Sequence, residues 1–169
     1  IALVVGLLGT VAAVLLLDMI RFFTNLFWFG QADLVARSPA DNHLGAWAML
    51  VPAAGGLVVG LIARFGSEKI RGHGIPEALE AILFGKSRMS PKIAVLKPVS
   101  SGLVIGSGGP FGAEGPIIMT GGAIGSLVAQ AFHLTSAERK TLLVAGACAG
   151  MTAVFGTPVA AVLLAVELL

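Results

Sequence analysis

Glu114 stands alone: between Lys97 and Glu138 the sequence runs for forty residues with no other fully charged side chain. A glutamate within a membrane-spanning region is expensive to keep and marks a functional site by default. The residues around it supply a chemistry. The run Gly106-Ser107-Gly108-Gly109-Pro110-Phe111-Gly112-Ala113-Glu114-Gly115-Pro116 sets flexible backbone ahead of a proline-started helix. A second start of similar build, Gly72-His73-Gly74-Ile75-Pro76-Glu77-Ala78, lies upstream. Proline is favoured at the first helical position, where its missing N–H is no loss. The glycines before it permit unusual dihedrals and close backbone approach. Such a helix start presents free amide donors and a partial positive charge. It binds anions, and it can hold them loosely enough to let them leave, as conduction requires.

Each start taken alone is also an ordinary structural device. Glu114 taken alone reads equally as an N-terminal capping carboxylate with no moving part. The stretch 106–112 has the glycine content of a phosphate or dinucleotide loop, but that assignment needs a strand before it and a Lys or acidic residue after it. The preceding segment is apolar and reads as helical, and no GKS or GKT follows.

The elements that must position these starts read as broken apolar helices. A first apolar run covers 1–17 and ends at Asp18 and Arg21, followed by Phe22, Phe23, Phe27 and Trp28. Aromatics beside charges suit a membrane interface. Residues 30–43 are polar and form a loop. A second run, 44–63, is long enough to span a bilayer. Residues 64–97 carry seven of the eleven basic side chains and are placed mostly on the cytoplasmic side. Within them 76–84 is a helix too short to cross. Ser90-Pro91 opens a helix over 91–105, the glycine-rich turn comes next, and 116–132 is helical. The polar stretch 135–140 is a break before helices at 141–154 and 158–169. Short helices interrupted by Gly and Pro point to transporter-type folds with binding sites near the midplane. Gly56/Gly60, Gly102/Gly106, Gly108/Gly112, Gly121/Gly125 and Gly146/Gly150 have GxxxG spacing, which lets membrane helices approach closely.

Composition agrees. Of 169 residues 56% are hydrophobic and 12% charged, half the roughly 25% of an ordinary soluble domain. A bilayer, not water, is the solvent that fits. The net charge of +2 marks cytoplasmic loops and not a nucleic-acid partner. The single cysteine, Cys148, excludes an internal disulfide and a cysteine-based metal site; its Ala/Gly surroundings mark it as a packed helix residue. Residues 1–20 lack the basic start of a signal peptide. Both ends read as helix interiors, so the chain reads as a fragment of something longer.

Together the two starts resemble the ClC chloride channels and chloride/proton antiporters. Gly72-His73-Gly74-Ile75-Pro76 is similar to that family's GSGIP-type motif, and Gly112-Ala113-Glu114-Gly115-Pro116 to its G(K/R)EGP motif. Phe155-Gly156-Thr157-Pro158 through Glu167 resembles a later helix of the same fold. Order and spacing agree over nearly all of the chain. The resemblance implies an all-α membrane protein, a ClC-type bundle of tilted and discontinuous helices. Residues 1–169 would be part of the first of two inverted-topology repeats. It implies chloride or a similar anion as transported ligand, protons as a further partner, the lipid bilayer as surroundings and a homodimer at full length. No cofactor, metal or nucleic acid is implied. The second repeat would supply a GxFxP motif and a pathway tyrosine; this sequence has no Tyr.

By the same resemblance Glu114 is the gating glutamate, and Gly72, His73, Gly74, Ile75, Pro76, Gly112, Ala113, Gly115 and Pro116 surround the anion. Three positions depart from the pattern. His73 replaces a serine that contacts the anion, which opens the question of selectivity. Ala113 replaces a Lys or Arg, so some positive potential must come from elsewhere. Leu168 occupies the position of the antiporters' internal proton-transfer glutamate, with Glu167 beside it. Leucine carries no proton, which favours a channel, or an exchanger with another proton route.

Two other classes compete. An intramembrane enzyme needs a paired Asp, a Ser/His dyad or an HExxH helix, and none is present; Ser107 has no evident histidine partner. A structural membrane module would have no need of Glu114 in an apolar run. The remaining polar residues read blandly. Glu77 and Glu80 complement a helix dipole, Lys86, Arg88 and Lys92 are loop charges, and His43 and His133 lie in or near loops. Met89, Met119, Met151, Trp28 and Trp47 pack or sit at the interface.

Overall fold

A computed structural model describes residues 1–67, 70–72 and 74–168, and seven α-helices run through them. α1 is Ala2–Phe29, α2 Leu50–Phe65, α3 Ile75–Leu83, α4 Pro91–Gly106, α5 Glu114–Ala131, α6 Ser136–Phe155 and α7 Pro158–Leu168. No strand occurs among the described residues. Two helical stretches, Ala2–Phe29 and Gly45–Phe65, are long and apolar enough to cross a membrane.

Two boundaries differ from expectation. α1 does not stop at Asp18 but continues to Phe29. Asp18 and Arg21 face each other one turn apart in an ion pair of 3.0 Å, a spacing that supports a helix rather than ending it. Gly30, in the left-handed conformation at φ 65°, closes α1, and its amide donates back to the Asn25 and Leu26 carbonyls. α6 starts inside the stretch expected as a polar break. The Thr135 hydroxyl accepts from the Glu138 amide and the Glu138 carboxylate accepts from the Thr135 amide. This reciprocal cap makes a polar first turn the proper opening of a helix.

α5 is the centre of the bundle, packed by α6, α1 and α4. Ile117, Ile118, Met119 and Ala123 on it are all buried. Its contact with α6 is backbone on backbone. A methyl group on Gly121 would lie 2.9 Å from the Gly146 carbonyl carbon, and one on Gly125 2.7 Å from that of Leu142. The two GxxxG pairs 121/125 and 146/150 therefore face each other. Gly102 and Gly106 seat α4 against Met19 and Phe23 of α1. Gly56 and Gly60 meet nothing within 4 Å, so that spacing makes no contact in this structure. Large apolar side chains remain on the outside, Leu3 at 91% exposure and Leu57 at 72%, as a hydrocarbon-facing surface requires.

Polar ties hold the turns in place. Trp28 donates its indole N–H to the Gly106 carbonyl at 2.9 Å, anchoring the end of α4, where the glycine-rich turn begins, to the end of α1. Ser126 accepts from the Met89 amide at 3.0 Å and donates to Ser87 O at 2.6 Å, while Arg139 donates to Lys86 O at 3.0 Å. The α3–α4 turn is thus fixed to the far ends of α5 and α6. Cys148 is half-buried and donates to Ala161 O at 3.0 Å, a packing role as expected.

If backbone contact holds α5 to α6, Gly146→Ala lowers stability by about 1–3 kcal/mol through overpacking. Gly60→Ala leaves stability unchanged or raises it by up to about 1 kcal/mol, since Ala is the better helix former. Thermal unfolding of the detergent-solubilised full-length protein measures both; equal effects at the two sites would contradict the packing described.

Candidate functional site: a cavity between two helix starts

The two glycine–proline starts meet. Gly74, at φ 105°, is the residue before α3, and a methyl group there would lie 2.6 Å from the Gly115 carbonyl carbon and 2.8 Å from its Cα. Both the positive φ and the contact demand glycine. Gly74 and Gly115 are buried. Residues 41 positions apart in sequence thus place two helix N-termini in one spot.

The prolines are not the first helical residues. α3 begins at Ile75 and α5 at Glu114, which puts Pro76 second and Pro116 third. Proline is still harmless there, because the first intrahelical bonds run from Ala78 N–H to Gly74 O and from Ile117 N–H to Ala113 O, both 3.0 Å. Glu114 is therefore itself part of the helix start, and the Glu114 and Gly115 amides lie ahead of the first helical bond.

Each start carries a carboxylate. The Glu77 side chain folds back over Gly72 and accepts from the Gly74 amide at 2.7 Å. This takes up one of the amides expected to face an anion; Ile75, 43% exposed, remains open. The Glu114 carboxylate turns back over Gly112, its Cδ 2.7 Å from where a Gly112 side chain would begin. Glu114 is exposed, and no hydrogen bond or ion pair holds its carboxylate among the described residues. One acidic arm is tied down, and the other has no partner among the described residues.

A cavity of about 400 Å³ opens between the starts, lined by Gly72, Ile75, Gly112, Glu114, Gly115 and Pro116. Gly74 lies in the contact beneath it, while Ala113 and Pro76 do not line it. His73 lies outside the described residues. The remaining wall comes from α2, α4 and the turn before α3, and includes Arg71, Lys97, Ser100 and Ser101.

Lys97, on α4, has a role that the sequence reading did not assign. It is 3% exposed. Its ammonium donates to the Ile70 carbonyl at 2.9 Å and to the Gly72 carbonyl. A buried lysine needs such acceptors. It clamps the loop before α3 against α4 and puts a positive charge at the cavity, where Ala113 supplies none. Its role could not be read from spacing, since its acceptors are 27 and 25 positions away. Glu167 is exposed and Leu168 half-buried at the end of α7; neither lines the cavity.

Comparison with known proteins bears on what such a cavity serves. Residues 54–169 match the family described as voltage gated chloride channel. A ClcB-like protein of Ralstonia nicotianae is 31% identical over 171 residues, covering 97% of this chain and 39% of its own length. The H(+)/Cl(-) exchange transporter ClcA of Yersinia pseudotuberculosis is 32% identical over 173 residues, covering 97% and 33%. That of Citrobacter koseri is 34% identical over 131 residues, covering 76% and 28%. The chain thus spans between about a quarter and two fifths of the relatives it matches.

Replacing Lys97 by Met removes the donor from two carbonyls and costs roughly 1–3 kcal/mol, the usual penalty for orphaned buried acceptors. Hydrogen exchange at residues 70–72 should quicken in the variant, while exchange in α6 stays as it was. Unchanged exchange at 70–72 would show that the lysine does not hold the loop.

Proposed function

This chain belongs to the voltage gated chloride channel family, and from that premise we propose that it forms part of a transmembrane chloride pathway in which Glu114 is the gate. The observation that carries the proposal is the Gly74–Gly115 contact, which brings two partially positive helix starts to one cavity. Helix N-termini attract anions through amide donors and the macrodipole. An ionised Glu114 carboxylate is itself an anion on the first residue of α5. It competes with chloride for the same donors. Protonation removes its charge and frees the seat. No partner fixes it among the described residues, and Gly112 leaves room for it to fold aside. Gly72, Ile75, Gly115 and Pro116 would then frame the anion.

On this proposal the chain is the first of two inverted repeats, with the second repeat closing the cavity and the full-length protein forming a homodimer in the bilayer. The parent is a transporter and not an enzyme, and the site needs no cofactor. A second reading is favoured by the relatives named as H(+)/Cl(-) exchange transporters. It is a chloride/proton exchanger whose proton route avoids Leu168, because a hydrocarbon side chain cannot relay a proton.

The test uses the full-length protein in liposomes. Glu114→Gln fixes the arm in an uncharged state and should abolish the pH dependence of chloride flux, whereas a purely structural carboxylate would change stability alone. The reversal potential under a pH gradient separates the two transport modes. It stays at the chloride equilibrium value for a channel and moves with the gradient for an exchanger.

A further inference from the structure

The hydroxyl of Ser101 has no use within the described structure. Several helical hydroxyls donate back to a carbonyl three or four positions earlier, as Thr10 does to Gly6 at 3.0 Å, Thr24 to Ile20 at 2.8 Å, Ser100 to Lys97 at 3.0 Å and Thr141 to Ala137 at 3.2 Å, whereas Thr120 on α5 is buried with no partner among the described residues. Such back-donation is the usual way a Ser or Thr is satisfied on a helix. Ser101, on α4, is 6% exposed and has no hydrogen-bond partner among the described residues. It lines the cavity between the helix starts. The hydroxyl is not among the sealed, unpartnered polar atoms, so it opens to the cavity and is available to a guest there.

Arg71 lines the same cavity and is exposed, with no ion pair among the described residues. The carbonyls that Lys97 clamps belong to Ile70 and Gly72, the residues on either side of it. The backbone under Arg71 is therefore fixed at the wall while its guanidinium keeps its donors free. Arg71 and Lys97 line the cavity together with the Glu114 carboxylate, while Lys97 has the Glu77 carboxylate, folded over Gly72, as its neighbour, so Arg71 is the cation with no acidic partner among the described residues. An acceptor-only, negatively charged guest is what a free hydroxyl donor and a free guanidinium would both receive.

We propose that Ser101 and Arg71 form a second anion seat in this cavity, on the α4 wall and apart from the helix-start seat that Glu114 contests, and that it takes a small monovalent anion such as chloride. The inference rests on the reading of the cavity as an anion pathway and deepens it. An anion waiting at this seat stands next to the gate and raises the chance that the helix-start seat fills when Glu114 leaves.

The experiment measures chloride flux against chloride concentration for the full-length protein in liposomes. Ser101→Ala should raise the half-saturating concentration roughly 10–100-fold, as expected for a lost hydrogen bond to a charged group, with the larger effect there rather than on the maximal rate. Arg71→Gln should raise it as well, and Arg71→Lys should recover part of the loss. Because Ser101 makes no hydrogen bond among the described residues, Ser101→Ala should unfold at the same temperature as the parent or higher. A destabilised Ser101→Ala, or half-saturation unchanged in both Ser101→Ala and Arg71→Gln, overturns the second seat; the latter would mean that water alone meets the hydroxyl. If the parent carries chloride with a Glu114-dependent pH response while these variants behave as it does, only this inference falls. If the parent carries no chloride, the pathway reading falls and takes the inference with it.

Discussion

Backbone contact between Gly74 and Gly115 is the constraint on which the rest of this structure depends. Side chains would hold the two helix starts apart; their absence lets the amide-rich ends share one cavity. The contact is demanding, because Gly74 must also take a positive φ of 105° that other residues rarely adopt. Its consequence is electrostatic. On the proposed reading the two helix starts together favour negative charge there, with the Glu77 carboxylate already bonded to the Gly74 amide at the α3 start. A site of that kind favours binding that is reversible.

Much of the remaining fold serves to keep those poles fixed. α5 cannot shift along α6 because glycine backbones interlock at Gly121, Gly125 and Gly146. The α4 end is pinned by the Trp28 indole, and the loop before α3 by the Lys97 ammonium. The turn from α3 to α4 is tied by Ser126 and Arg139. Against this frame the Glu114 carboxylate has no hydrogen bond or ion pair among the described residues. Glu77 differs, since its carboxylate is bonded to the Gly74 amide and completes a helix start; the proposed gate is the acid without such a bond among the described residues.

Both helix starts, their order and the lone glutamate were legible in the sequence, because Gly and Pro report local backbone needs and a charge in an apolar run reports its own cost. The opening of α4 at Ser90-Pro91 was legible for the same reason: the Ser90 hydroxyl accepts from the Lys92 amide at 3.3 Å. Other features were not. The continuation of α1 past Asp18 depends on an ion pair that a hydropathy reading counts only as two charges. The polar opening of α6 hides behind its own capping box. GxxxG spacing could not distinguish the interlocked pairs on α5 and α6 from the open pair on α2, since the difference lies in the partner. Lys97 and Ser101 gain their meaning only from distant chain segments, and no local signal marked either one.

The most direct measurement is the position of bromide, a heavier stand-in for chloride, in crystals of the full-length protein carrying Glu114→Gln. The account predicts anomalous density at the junction of the α3 and α5 starts, beside the Gly115 backbone, and much weaker density there in the parent protein at neutral pH, where the carboxylate holds the seat. Density of equal strength in both proteins, or bromide found only away from that junction, would contradict it.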